Sequence, residues 1–64
     1  MKELERFPEA ANRLGVKVPT LRRWVREGRV PVIRLSARAL RFDPRALDRF
    51  IAQNTIEARE TVGR

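Results

Sequence analysis

The sequence contains no cysteine and no histidine. No disulfide can staple the fold, and zinc, haem and iron–sulfur clusters lose their usual thiolate and imidazole ligands. The nucleophiles and bases that work near neutral pH go with them. Tyrosine is absent, tryptophan occurs once and phenylalanine three times, a poor supply of the exposed aromatic platforms on which RNA binders stack unpaired bases. The longest apolar run, Val30-Pro31-Val32-Ile33, has four residues, against the ~20 of a membrane-spanning helix. The opening Met1-Lys2-Glu3-Leu4-Glu5-Arg6 places acids where a secretory leader carries basic residues and then an apolar stretch. With 64 residues there is material for one small domain with a marginal core and no drug-sized pocket. These absences exclude most enzyme classes and point to a non-enzymatic protein without metal or cofactor. They also imply no membrane partner and a cytoplasmic location, with which the lack of cysteine agrees.

What is present is positive charge, and it is focused. The chain holds 15 basic and 8 acidic side chains, a net charge of +7. Residues 13–45 carry ten basic groups against Glu27 and Asp43 alone, an excess of eight, while the flanking segments are close to neutral. A concentrated basic stretch is the electrostatic footprint of a polyanionic partner. Biased codon usage would explain why 13 of the 15 are arginine, but not why they cluster.

Gly15, Gly28, Pro31 and Asp43-Pro44 divide the chain into short elements. Phe7, Ala10, Ala11 and Leu14 share one face of a helix over residues 7–14, which Gly15 ends. Leu21, Trp24 and Val25 form the apolar face of a second helix over 19–27, with Gly28 as its stop. Arg22, Arg23 and Arg26 project from its far side. Two short helices on a tight link make a helix-turn-helix. The period then changes: residues 30–35 and 39–42 are β-prone and predict a two-stranded hairpin with Ser36-Ala37-Arg38 at its tip. Asp43 as cap and Pro44 in first position start a third helix, reaching about Gln53, with Leu47, Phe50 and Ile51 as its apolar stripe. The expected fold is mainly α with a small β-hairpin, a winged helix-turn-helix in the order helix, helix, two-stranded wing, helix. Residues 1–54 form the domain and 55–64 a tail, in which Ile56 and Val62 are a candidate handle for a partner. The four aromatics read as core, Trp24 included.

The segments Glu9-Ala10-Ala11-Asn12-Arg13-Leu14-Gly15-Val16, Thr20-Leu21-Arg22-Arg23-Trp24-Val25-Arg26-Glu27-Gly28-Arg29-Val30-Pro31, Ile33-Arg34-Leu35 and Leu40-Arg41-Phe42-Asp43, in this order and spacing, resemble the MerR-like, excisionase-type small DNA-binding domains. The resemblance covers about two-thirds of the chain. It implies a second helix in the major groove and a wing in the adjacent minor groove. It also implies a role in DNA recombination or transcription regulation in a phage or mobile element. Members bind short direct repeats, with copies touching head to tail. Two departures stand out: Lys17 occupies the place of the usual Ser or Thr cap, and the wing tip has no glycine. The 64 residues include no coiled-coil helix or effector domain, so the inducer-sensing dimer of the full MerR regulators is not implied.

The candidate DNA-binding residues follow from these elements. Arg22 is suited to a base edge and Arg23 and Arg26 to phosphates, since a guanidinium can fork onto guanine or clamp the backbone. Lys17 and Thr20 open the second helix, where recognition helices commonly meet DNA. Arg38 and Ser36 form the wing tip, from which an arginine can enter a narrow minor groove. Arg34 and Arg41 lie on the strands, suited to phosphates or to pairing with Glu27 or Asp43. Arg13 and Arg49 are left without a role; Arg45 stands in the first turn of a helix, unfavourable for a cation, which points to a role beyond stability, in DNA-backbone contact or with a partner subunit. The expectation is a sequence-specific double-stranded DNA-binding protein of the bacterial or phage-infected cell, associated with the nucleoid. Its best specific form is an excisionase that binds repeats cooperatively, bends DNA and works with an integrase or recombinase. The alternatives are a small MerR-like transcription regulator and, from another class, a protein-interaction module of a phage or mobile element.

Overall fold

Helix α1 spans Phe7–Leu14. Its entry is secured by Glu9, whose Oε1 accepts the backbone N–H of the capping residue Arg6 at 2.8 Å. Pro8 sits in the first turn, where its missing N–H costs nothing. At its exit Gly15 adopts a left-handed φ of 73°, and the Val16 N–H reaches back to the Ala11 carbonyl at 3.0 Å. This closure consumes carbonyls that would otherwise be orphaned. The computed structural model describes residues 3–56 of the chain.

Helix α2 spans Val18–Arg26 and so begins and ends one residue before the stretch expected from the periodicity. Pro19 falls at its second position, and Lys17 is the cap with no side chain to accept an N–H. The helix closes as α1 does: Gly28 takes a φ of 68°, and the Arg29 N–H bonds the Trp24 carbonyl at 2.9 Å. Helix α3 spans Pro44–Gln53, capped by Asp43, whose carboxylate accepts the Arg45 N–H at 3.0 Å.

The wing is shorter than expected. Strands β1 (Ile33–Arg34) and β2 (Leu40–Arg41) pair antiparallel, Ile33 with Arg41 and Arg34 with Leu40. The stretch before β1 does not join the ladder, because Pro31 offers no N–H and Val30 turns down into the core. A second pairing compensates. Glu5 and Phe42 exchange both backbone hydrogen bonds at 2.8 Å, so the segment before α1 lies alongside the chain leaving β2. The tip turns without glycine. The Ala39 N–H bonds the Ser36 carbonyl at 3.4 Å and the Ser36 Oγ at 3.2 Å, and no residue other than glycine takes a positive φ among those described. A turn of the type I kind tolerates ordinary residues and favours serine in first place.

Ala10, Ala11, Leu21, Val30, Phe42 and Leu47 are buried and form the core. The two alanines let α1 approach α2 and α3, both of which it packs against. Phe7, Leu14, Trp24, Val25 and Phe50 pack around this centre half-buried. Two expectations are corrected here. Ile51 is not core: it is 39% exposed, because three short helices and a two-residue ladder cannot cover the full width of the α3 stripe. Of the four aromatics only Phe42 is fully buried. In the tail Ile56 is exposed; Val62 lies outside the described residues.

Candidate nucleic-acid interface

The outer face of α2 exposes Arg22, Arg23 and Arg26, with Lys17 exposed at its start and Thr20 half-buried one turn in. The helix holds this orientation because Leu21 is fully buried on the opposite side, with Trp24 and Val25 packed beside it. The uncapped start leaves the Val18 and Thr20 amides without a side-chain acceptor among the described residues, and such free amides favour an anion.

The arginines divide into those already paired and those left open. Arg23 Nε lies 3.8 Å from Glu27 Oε2, and Arg29 Nη1 lies 3.4 Å from Glu27 Oε1. One carboxylate thus serves two guanidiniums. Arg29 also lies over the Trp24 ring, 5.4 Å from its centroid. Arg22, Arg26, Arg34 and Arg38 have no acidic partner within 4.0 Å among the described residues. Arg22 instead stacks over Phe7, its guanidinium carbon 4.5 Å from the ring centroid. Phe7 in turn meets Phe42 edge to face at 5.1 Å, so the arginine rests on a ring anchored in the core.

The fold brings part of this set together. Arg22, Val25 and Arg26 of α2, Ala37, Arg38 and Leu40 of the wing, and Phe7 of α1 line one cleft of about 220 Å³. Arg22 and Arg26 stand four residues apart on α2, where a like-charged pair destabilises a helix by about 0.2–0.5 kcal/mol. An anion between them would offset that cost.

The remaining candidates sit differently. Opposed residues of an antiparallel ladder share a face, so Arg34 lies on the face of Leu40 and Arg41 on that of Ile33. Arg41 is half-buried, and its Nη1 donates to the Leu40 carbonyl at 2.8 Å. Neither strand arginine pairs with Glu27 or Asp43: Glu27 is taken by Arg23 and Arg29, and Asp43 by the α3 cap. Ser36 is exposed, but its Oγ accepts the Arg38 and Ala39 amides at 3.4 and 3.2 Å. The hydroxyl therefore shapes the tip that presents Arg38.

Arg13, without a role in the sequence, has one in the scaffold. Arg13 binds Glu5 through two nitrogens, at 2.6 and 3.1 Å, and Asp48 at 3.2 Å. It ties the first segment, α1 and α3 together. The hydrogen bond from Arg13 holds the Glu5 carboxyl below its usual range, and the same bond raises the Arg13 guanidinium. Arg45 lines a groove with Glu3, Glu5 and Glu9, so the unfavourable cation in the first turn of α3 stands among carboxylates. Phe7 was not legible as a neighbour of Arg22: fifteen positions separate the two, and only the packing of α1 on α2 joins them in one cleft.

Among the described residues no group of acidic side chains could hold a metal ion, and no helix is long and apolar enough to cross a membrane. No curated protein and no solved structure matches the chain. A family described as a helix-turn-helix domain matches residues 6–55, which span all three helices and the wing. That family includes small excisionase-like proteins and is typically non-enzymatic. With a helix-turn-helix, a hairpin wing and open arginines on both, the chain belongs to the helix-turn-helix domain family of DNA-binding proteins.

Proposed function

We propose that the protein binds double-stranded DNA sequence-specifically, with α2 in the major groove and the wing in the adjacent minor groove. Lys17, Thr20, Arg22, Arg23, Arg26, Arg34, Ser36, Arg38 and Arg41 form the contact surface. The observation that carries this reading is the division of the arginines: those on α2 and the wing that flank the common cleft lack acidic partners among the described residues, whereas Arg13 is spent on Glu5 and Asp48. Unpaired guanidiniums on a protruding helix and a protruding hairpin suit the two grooves of a duplex.

Its role is that of an excisionase. Copies assemble head to tail on short direct repeats, bend the DNA, and steer an integrase or recombinase. Bending a short site costs about 1–6 kcal/mol, which a dense set of arginine–phosphate contacts offsets. Residues 1–54 are the DNA-binding unit, and 55–64 offer a handle to a neighbouring copy or the recombinase. The protein acts in the cytoplasm, on the nucleoid.

The test is selection of bound fragments from the host genome by purified protein at ~150 mM salt, where non-specific phosphate binding is suppressed. One dominant locus with direct repeats beside an integrase gene supports the excisionase role; a promoter alone makes the protein a regulator. Neutralising about five to seven phosphates gives a log–log salt slope near −5. Random fragments and a shallow slope would instead point to a protein-interaction module. Removing residues 55–64 and finding cooperative filling of the repeats intact would reject the handle.

A further inference from the structure

We propose that the cleft between α2 and the wing seats a single phosphate of the DNA strand running between the two grooves. Arg22, held on the Phe7 ring, grips that phosphate and does not read a base edge. The inference rests on the DNA-binding reading above and changes the role expected of Arg22.

A duplex has a sugar–phosphate strand between its major and minor grooves. A protein with a helix in one groove and a hairpin in the next must straddle that strand, and whatever lies between helix and hairpin faces it. Here that space is the cleft of about 220 Å³. It is smaller than the ~300 Å³ at which pockets for small molecules begin, open to solvent, and roomy enough for a phosphate group. Its charged walls are Arg22 and Arg26 from the helix and Arg38 from the wing. No carboxylate lines it, and none of the three has an acidic partner among the described residues. Three guanidiniums around one small space repel each other until an anion enters.

The position of Arg22 decides its role. An arginine that reads a base extends away from its helix, into the groove. Arg22 lies back over the Phe7 ring of α1 at 4.5 Å, and Phe7 is braced by Phe42 at 5.1 Å. Stacking occupies the face of the guanidinium and leaves the N–H groups on its edge free to donate. A donor fork fixed at the wall of a cleft is suited to a tetrahedral anion that arrives with the strand. Phe7 is therefore a positioning residue, acting on DNA through Arg22.

The experiment uses the full chain and the duplex recovered by selection, remade as a series in which one phosphate at a time is replaced by a neutral methylphosphonate. The expected result is one position where neutralisation weakens wild-type binding about tenfold, the scale of a hydrogen bond to a charged group. Arg22→Gln loses part of that affinity on the unmodified duplex and is several-fold less sensitive than wild type to neutralisation at that position. Its salt slope is shallower by about 0.9, and the sequence it selects is unchanged. Arg38→Gln shows the same coupling to the same phosphate. Phe7→Leu, checked for folding by thermal melt, loses part of the affinity and most of the coupling. The proposal is overturned if Arg22→Gln relaxes the preference at one base pair while staying sensitive to every methylphosphonate. A wild-type protein that binds no duplex above a random-sequence control overturns the DNA reading first, before any variant is compared.

Discussion

Replacing Leu21 by alanine tests the link between core and interface. Leu21 is fully buried beneath α2 and is flanked in sequence by Thr20 and Arg22. Its truncation touches no residue of the proposed contact surface, yet it removes the centre of the face that holds the helix down. Fully buried Leu→Ala changes cost about 2.7–5 kcal/mol. A chain of this size has roughly 3–10 kcal/mol in all. Each kcal/mol moves the melting temperature of a 60–100-residue domain by about 4–8 °C, so Leu21→Ala should melt at least ~10 °C lower. A ligand that binds only the folded state restores stability. At about one hundred times Kd the selected duplex contributes about 2.7 kcal/mol and should recover much of the loss. The assay is a circular-dichroism melt of wild type and variant, with and without duplex. A variant that melts within ~2 °C of wild type refutes the core assignment, since no collapse of so small a domain would hide a lost isopropyl group. A variant that DNA fails to rescue, though wild type is stabilised, shows that Leu21 acts on binding directly and refutes the separation of anchor from contact.

Asp43→Ala removes the α3 cap and should lower stability by about 1 kcal/mol, with DNA affinity unchanged in a titration; Asp43→Asn should restore the melt. The Glu5 carboxyl is held below its ordinary 4.5 by the hydrogen bond from Arg13, so its stabilisation is present in full above that value and is lost as pH falls through the lower folded-state value. Melts of wild type and Glu5→Gln should accordingly differ at neutral pH and converge in acid; a constant gap across the range contradicts the pairing. Arg29→Ala uncovers the single tryptophan and should shift Trp24 emission while costing no more than about 1 kcal/mol. Unchanged emission would show that the guanidinium does not cover the ring.

Much of the scaffold was readable along the chain, because its causes are local. The glycines at 15 and 28 end helices by backbone freedom, and Asp43-Pro44 starts one by capping chemistry, all within a few residues. The helix period alone puts Leu21 inside and the three arginines of α2 outside. Position in space was decided by contacts between distant residues, to which local periodicity is blind. Arg13, basic and without an obvious task, is consumed by Glu5 and by Asp48, 35 positions away. The wing was expected as strands over residues 30–35 and 39–42. It is a two-residue ladder, because Pro31 cannot donate; Glu5 pairs with Phe42 on the other edge of the second strand. Ile51 carries the right spacing for a core residue, yet the tertiary arrangement leaves it exposed. The same holds at the interface. Sequence shows which arginines are candidates and which helix face they share, because charge and helix phase are properties of the chain. Which of them remain unpaired, and that Arg22 rests on Phe7 at the wall of a cleft shared with Arg38, follow from the packing of α1, α2 and the wing.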